Sequence, residues 1–252
     1  MTYGDVDYEA TGAGYGARRR TDPRIAAIVH AALGDSHSVL NVGAGAGSYE
    51  PDDRAVIAVE PSASMRAQRP AHAGPVVNAT AEALPFPDDS FDAAMAMVTV
   101  HQWSDWRRGV AEMRRVARGP VLVLTFDPRR LDCWWLNEYV PELFLGEAPR
   151  YPTIDALREA IGGATRVIPV PVPLDCVDGF TEAFYGRPEA FLDDAVRAAQ
   201  SAWQFAEAEA VRSGLAGLAD DLADGMWDRR YGSLRTQPEH LGAIRLVVGT
   251  PS

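Results

Sequence analysis

Apolar positions follow two rhythms along the first half of this chain. Ile25, Ile28, Val29 and Leu33 recur at helical spacing behind Thr21-Asp22-Pro23. A capping residue followed by proline suits a first turn, so a helix is predicted to start there and to stop near Gly34. Short runs that are apolar throughout then alternate with amphipathic stretches. Residues 38–42, 55–60, 75–77, 91–98 and 121–126 read as strands; 62–68 and 104–118 read as helices, the second closed by Gly119-Pro120. Strands without polar alternation, separated by helices, predict a parallel sheet covered on both faces.

The rhythm changes after Asp127. Residues 130–162 look helical and crowd Trp134, Trp135, Tyr139, Leu143 and Phe144 together. Residues 165–172 are strand-like but carry Pro169 and Pro171, which suits a sheet edge. Residues 178–231 are Ala-rich and mostly helical, and 243–248 return to strand. The expected architecture is a single α/β domain over 1–252, with a doubly wound, mostly parallel seven-stranded sheet. Residues 174–240 read as a helical insertion before the last strand. Residues 1–21, rich in Gly, Tyr and Arg and without periodicity, read as an N-terminal lid.

Composition narrows the function. The hydrophobic share of 47% can fill a core, and the net charge of −11 repels phosphate backbones and anionic membrane surfaces, so neither nucleic acid nor membrane is an expected partner. No apolar run reaches the ~18 residues that span a bilayer, and Met1 to Glu9 is too polar and acidic for a signal peptide. All 24 basic residues are Arg, which excludes a Schiff-base lysine and a Walker lysine. Cys133 and Cys176 belong to no C-x-x-C pair, so no zinc site or other metal site is expected. A reducing cytoplasm is the expected compartment, with a single bridge between the two left open.

The candidate chemistry begins where the first strand ends. Gly43-Ala44-Gly45-Ala46-Gly47 follows it directly, a turn whose backbone N–H groups a ligand can approach closely. Glu60 closes the second strand, 17 residues after Gly43, where an acid can accept both hydroxyl hydrogens of a ribose. A dinucleotide turn requires a further glycine at 48, which is Ser48. A ligand with a ribose but no pyrophosphate, such as S-adenosylmethionine (SAM), fits better.

Four segments then occur in order: Asn41-Val-Gly-Ala-Gly-Ala-Gly-Ser-Tyr49, Val59-Glu-Pro-Ser-Ala-Ser-Met65, Ala81-Glu-Ala-Leu-Pro-Phe-Pro-Asp-Asp-Ser-Phe-Asp92 and Thr99-Val-His-Gln-Trp103. Together they resemble the class I SAM-dependent methyltransferases, in particular the small-molecule group (type 11-like), over residues 15–128. The resemblance implies a Rossmann-like fold and a set of cofactor contacts. Asn41, Gly43, Ala44 and Gly45 would line the methionine and ribose end. Glu60 would hold the ribose, with Pro61 and Met65 near the adenine. Ala81 and Glu82 would reach the adenine edge, Val98 and Thr99 would lie beneath the sulfonium, and Arg20 would pair with the methionine carboxylate. One position departs from the family: the residue two before the first glycine is often Asp and here is Asn41, which brings no charge to the SAM ammonium.

Methyl transfer is an in-line displacement in which the protein aligns donor and acceptor. It calls for a base only when the acceptor carries a tightly held proton. His101 follows the fourth strand, where open parallel sheets bind ligands, and is the candidate base; the competing reading is that it only shapes the pocket. His30, His37, His72 and His240 read as surface or packing residues. Trp103, Trp134, Trp135 and Tyr185, with Tyr139, Phe144 and Phe184, are candidates for an aromatic wall around a small-molecule acceptor. Tyr8 and Tyr15 would close over the cofactor. Three other functions compete: a SAM-binding protein that catalyses a cyclisation or rearrangement, a SAM-binding regulator, and, disfavoured by Ser48, a dehydrogenase. The insertion can either shield the pocket or form a homodimer interface.

Overall fold

The computed structural model describes residues 19–132 and 134–251. Apart from residues 19–21, the expected lid lies outside the described residues, as do Tyr8, Tyr15 and Cys133. The first helix, α1 (Pro23–Ala32), starts where its sequence signals: Asp22 caps it by accepting from Arg24 N, and Pro23 occupies the first turn. Its buried face is Ile25, Ala26, Val29 and Ala32.

The sheet is built from β1 (Ser38–Val42), β2 (Ala55–Val59), β3 (Val76–Val77), β4 (Ala93–Met97), β5 (Val121–Phe126), β6 (Ala164–Pro169) and β9 (Ile244–Thr250). Its order is β3-β2-β1-β4-β5-β9-β6. β1 to β5 pair in parallel, whereas β9 runs antiparallel to both β5 and β6. β6 is therefore an edge strand, which suits Pro169 at its end and Pro171 just beyond it. A separate small pair, β7 (Val172–Pro173) and β8 (Glu239–His240), brackets the stretch between β6 and β9.

Strand alternation divides the interior in two. Val39, Met95, Leu122 and Leu124 face the layer that holds α1. Leu40, Val42, Ala94, Ala96, Val121 and Val123 face the other layer, with Val110, Met113 and Val116 of a helix over Trp106–Val116.

Residues 130–162 are largely helical as expected, but not in one piece. They break into short helices Leu136–Tyr139, Pro141–Glu147 and Ile154–Ile161, with a 3₁₀ turn at Ala148–Arg150. Pro141, Pro149 and Pro152 supply no N–H and interrupt the ladder at each junction. The stretch between β7 and β8 is likewise fragmented, its longest helix being Ala208–Ala223. Its buried Phe180, Tyr185, Phe191, Trp203, Leu218 and Trp227 join the same core as α1.

β1 lies between β2 and β4, so chain connections leave it in opposite directions. A crevice opens at such a point beyond the strand ends, and it is bounded here by the loops after β1 and β4.

Candidate active site

The loop after β1 is a cradle of left-handed glycines. Gly43, Gly45 and Gly47 have φ of 67°, 52° and 98°, values that a β-carbon makes costly. Space is as restrictive as conformation at Gly43: a β-carbon there would overlap the Thr99 hydroxyl and lie 2.9 Å from its Cγ2. The backbone after β1 thus touches the residue after β4 across the switch point. Gly43 N and Ala44 N donate to Val59 O at 2.9 and 3.0 Å, anchoring the loop to the end of β2.

Glu60 stands at that end. Its carboxylate accepts from Gly45 N and Ser62 N, each at 2.8 Å. Burial pushes its carboxyl above the usual range, against those two bonds and the nearby Arg66 and Arg69. Met65, also buried, packs its terminal methyl close to Gly45. Half-buried Pro61 accepts from Arg66 through its carbonyl.

Asn41 is 1% exposed and is oriented by a partner that sequence reading missed. Its Nδ2 donates to Glu50 Oε1 at 2.9 Å, and Glu50 is held in turn by Arg69 through bonds of 2.9 and 2.8 Å. A carboxylate only accepts, so the Asn41 amide must turn its nitrogen to Glu50. Asn41 Oδ1 is left buried without a hydrogen-bond partner. A free acceptor beside the glycine cradle suits an ammonium group. With the Gly43 fit and the Glu60 carboxylate, it makes the residues present compatible with SAM.

Other cofactor-side candidates fall in several places. Ala81 is buried. Glu82 is half-buried and accepts from Ser104 Oγ at 2.9 Å and Asp105 N at 3.1 Å, fastening its loop to the next helix. Arg20 is exposed, whereas Arg19 turns inward and donates to Asp178 at 2.6 Å. Neighbours in extended chain point to opposite sides, so this segment presents Arg19, not Arg20, to the interior. Asp178 is 2% exposed and also accepts from the Tyr49 hydroxyl at 2.6 Å, while Tyr49 N donates to Thr21. The end of the glycine loop, residues 19–21 and the loop at Asp178 form one buried network.

Beyond β4 the chain bends sharply. Val98 has φ 53°, an outlier for a β-branched residue and a form of strain that gathers at functional sites. Thr99 is buried, and a 3₁₀ turn over Val100–Gln102 carries His101. The His101 ring packs on Tyr151 at 4.3 Å between centroids. Burial, then Arg150 and Arg19, hold it well below the usual imidazole range, so it is neutral at pH 7. Its Nε2 is 3.3 Å from Gln102 Nε2, and Nδ1 has no hydrogen-bond partner. An amide nitrogen donates, so in this arrangement Nε2 accepts and the ring hydrogen sits on Nδ1.

His101 and Val98 line a cavity of about 60 Å³, walled by Phe126, Trp134, Phe144, Tyr151 and Phe180 and reached by Glu182 and Gln200. That is room for a few waters, so a larger ligand must push a wall outward. Of the expected aromatic wall, Trp134 and Phe144 line this cavity. Trp135 instead donates to Tyr185 O at 2.7 Å within the core. The Tyr185 ring stacks on His240, and its hydroxyl donates to Gln237 O. Trp103 packs on Gly109 and joins the opposite layer. Tyr139 hydrogen-bonds Asp221, and Phe184 packs against the core.

Glu182 and Gln200 come from the stretch between β7 and β8, which carries no motif to announce them. Among the described residues no group of three or more His, Cys, Asp or Glu could hold a metal ion, no helix is long and apolar enough to cross a membrane, and Cys176 is a buried free thiol.

Comparison with known proteins agrees with this geometry. A family model described as a methyltransferase domain matches residues 40–123. The chain is 32% identical to a protein of Anabaena variabilis ATCC 29413 named as a methyltransferase from an antibiotic biosynthesis pathway. That crystal structure superposes with a TM-score of 0.85 over 92% of this chain and 99% of the other. The uncharacterized methyltransferase YcgJ of Bacillus subtilis (strain 168) is 33% identical over 118 residues, 42% of this chain and 47% of that protein, so the match spans about half the length of this curated relative. The [4+2]-cyclase SpnF, 18% identical with a TM-score of 0.52 over 90% of this chain and 80% of the other, shares the fold.

Proposed function

The chain belongs to the class I SAM-dependent methyltransferases, whose cofactor is SAM, and we propose that it transfers a methyl group to O, N or C of a small molecule held in the cavity beside His101. One observation carries this reading. The turn after β4 serves both sides: Thr99 packs against Gly43 in the cradle, while Val98 and His101 line the cavity. A donor in the cradle and an acceptor in the cavity would meet across Val98.

When bound, SAM supplies a methyl group already activated by its sulfonium, which takes back the bonding pair as a thioether. The chain's own part is to align and to manage one proton. Gly43, Gly45 and Glu60 would hold the nucleoside end, and Asn41 Oδ1 would accept from the ammonium. Buried Thr99 and the aromatic wall exclude water. A neutral His101 can take the acceptor's proton at Nδ1 once the Gln102 amide turns its carbonyl to Nε2 and moves the ring hydrogen there.

Labelled-methyl transfer to hydroxylated, amino and keto compounds tests the activity; SAM binding with no acceptor labelled would favour the cyclisation or regulator reading. His101→Ala is expected to keep SAM affinity and to cut turnover well over tenfold, since general-base effects run from about a hundredfold upward. Near-normal turnover in that variant would remove His101 as the base.

A further inference from the structure

Polar atoms without partners are rare in folded interiors, and each calls for a reason. Four residues that line the same cavity carry one: His101 Nδ1, Trp134 Nε1, Glu182 Oε2 and Gln200 Nε2. His101 is 8% exposed and Glu182 and Gln200 are each 3% exposed, so bulk water does not satisfy them.

The chemistry of these atoms is fixed by what their residues already do. Gln200 Oε1 accepts from Thr181 Oγ1 at 2.8 Å and from Trp203 Nε1 at 3.0 Å. Both partners are donors, so the amide has one allowed orientation and presents its NH₂ elsewhere. The Trp134 indole can only donate. Glu182 spends Oε1 on Ala243 N at 2.7 Å and keeps Oε2. Burial pushes its carboxyl up to about 7, so it both accepts from a hydroxyl and, when protonated, donates to an oxygen.

A ligand that displaces water from the cavity must offer acceptor oxygens to these two donor-only groups, which an ammonium cannot provide. Most of the wall is rings: Phe126, Trp134, Phe144, Tyr151 and Phe180. The two charged residues that line it besides Glu182, Arg19 and Glu147, are already neutralised by Asp178 and Arg150, so neither leaves a net charge for a charged ligand to answer. Resting on the methyltransferase reading of this cavity, we infer that it takes an uncharged aromatic compound bearing both a carbonyl, bound by Gln200 and Trp134, and a hydroxyl, bound by Glu182. Glu182 and Gln200 are then specificity residues of the acceptor site.

Binding of small probes to the full chain, saturated with S-adenosylhomocysteine so that nothing turns over, tests this. The hydroxyacetophenone isomers carry both groups; 4-ethylphenol lacks the carbonyl, acetophenone lacks the hydroxyl, and tyramine replaces the carbonyl with a cation. In calorimetry the best isomer is expected to bind about tenfold or more tighter than either truncated probe, the effect of leaving one buried polar group unpaired. Gln200→Leu is expected to erase its advantage over 4-ethylphenol, and Glu182→Gln to reduce its advantage over acetophenone, each with S-adenosylhomocysteine affinity unchanged. Equal affinities across the panel, tyramine binding tightest, or no probe binding overturns the inference, and the unmutated chain decides this even if a variant fails to fold. Probe preference without methyl transfer to any acceptor would keep the inference and sink the activity. Methylation of tyramine as readily as of the isomers would keep the activity and sink the inference.

Discussion

The two halves of the site are built in opposite ways. The cradle between β1 and β2 is made of backbone: left-handed glycines, N–H groups bonded to Val59 O, and one carboxylate that ties Gly45 to Ser62. All of it lies within some twenty consecutive residues. The cavity is made of side chains brought from residue 19, the turn after β4, β5, the broken helices after β5 and the stretch between β7 and β8. A backbone site is specified by conformation and leaves little room for substitution. A side-chain site is specified by packing and tolerates replacement while its selectivity changes. Variants that separate conformation from side-chain chemistry therefore test whether the contrast is real.

The largest effect is expected in the cradle, from Gly43→Ala. The new methyl would overlap the Thr99 hydroxyl and sit 2.9 Å from its Cγ2, in a left-handed conformation that alanine avoids. The strain of about 1–2 kcal/mol and an overlap of similar size or more give roughly 3–5 kcal/mol in total. Denaturant unfolding is expected to register that loss, and SAM affinity to fall by more than about a hundredfold. Adding Thr99→Ala removes the two overlapping atoms and is expected to recover the overlap component but not the strain. SAM affinity within twofold of the parent in Gly43→Ala would mean that the cofactor does not lie on this loop.

Asn41→Asp sharpens the same contrast from within the cradle, because here one side chain is matched to another. The substitution would restore the acid common in the family, yet set a second carboxylate within hydrogen-bond distance of Glu50. Arg69 already gives both its terminal nitrogens to Glu50. Two buried carboxylates in one site cannot both ionise freely, at a cost of about 2–4 kcal/mol near neutral pH. Stability is expected to drop by that amount and to return largely in Asn41→Asp/Glu50→Gln. An unchanged single variant would show that Asn41 is not fixed by Glu50.

This pair also shows where legibility ended. The order of alternating strands and helices, the span of β5, the edge position of β6 and the glycine turn could all be read from the chain, because each depends on neighbours in sequence. Asn41 stood out as a departure, but its reason is Glu50, nine residues on, and Arg69. The resemblance points to Arg20, yet a run of three arginines does not say which one turns inward; Asp178, 159 residues from Arg19, shows that it is Arg19. Trp134 and Trp135 are adjacent and chemically equal, yet one lines the cavity and the other points into the core toward Tyr185 O. Glu182 and Gln200 were invisible for the same reason: neither lies in a motif, and their roles follow from burial against Ala243, Thr181 and Trp203.

The smallest effect is expected on the cavity side and is read through pH. Burial raises the Glu182 carboxyl from 4.5 to about 7 in the folded chain. Between those values the folded state keeps a proton that the unfolded state releases, so this group's contribution to stability falls as pH rises through the window. Below it both states are protonated and the group is neutral in effect; above it the full penalty is present. Glu182→Gln keeps an oxygen for Ala243 N and never ionises. It is therefore expected to match the parent near pH 4 and to exceed it at pH 8. The ceiling is about 3 kcal/mol, the free-energy equivalent of the shift, and repacking around the new amide against Gly242 would leave roughly 1–2 kcal/mol of it. Thermal unfolding of both chains across that pH range measures the difference directly. A gap that stays constant with pH would mean that Glu182 titrates like an exposed acid, and the cavity would then be as open to solvent as the protein surface.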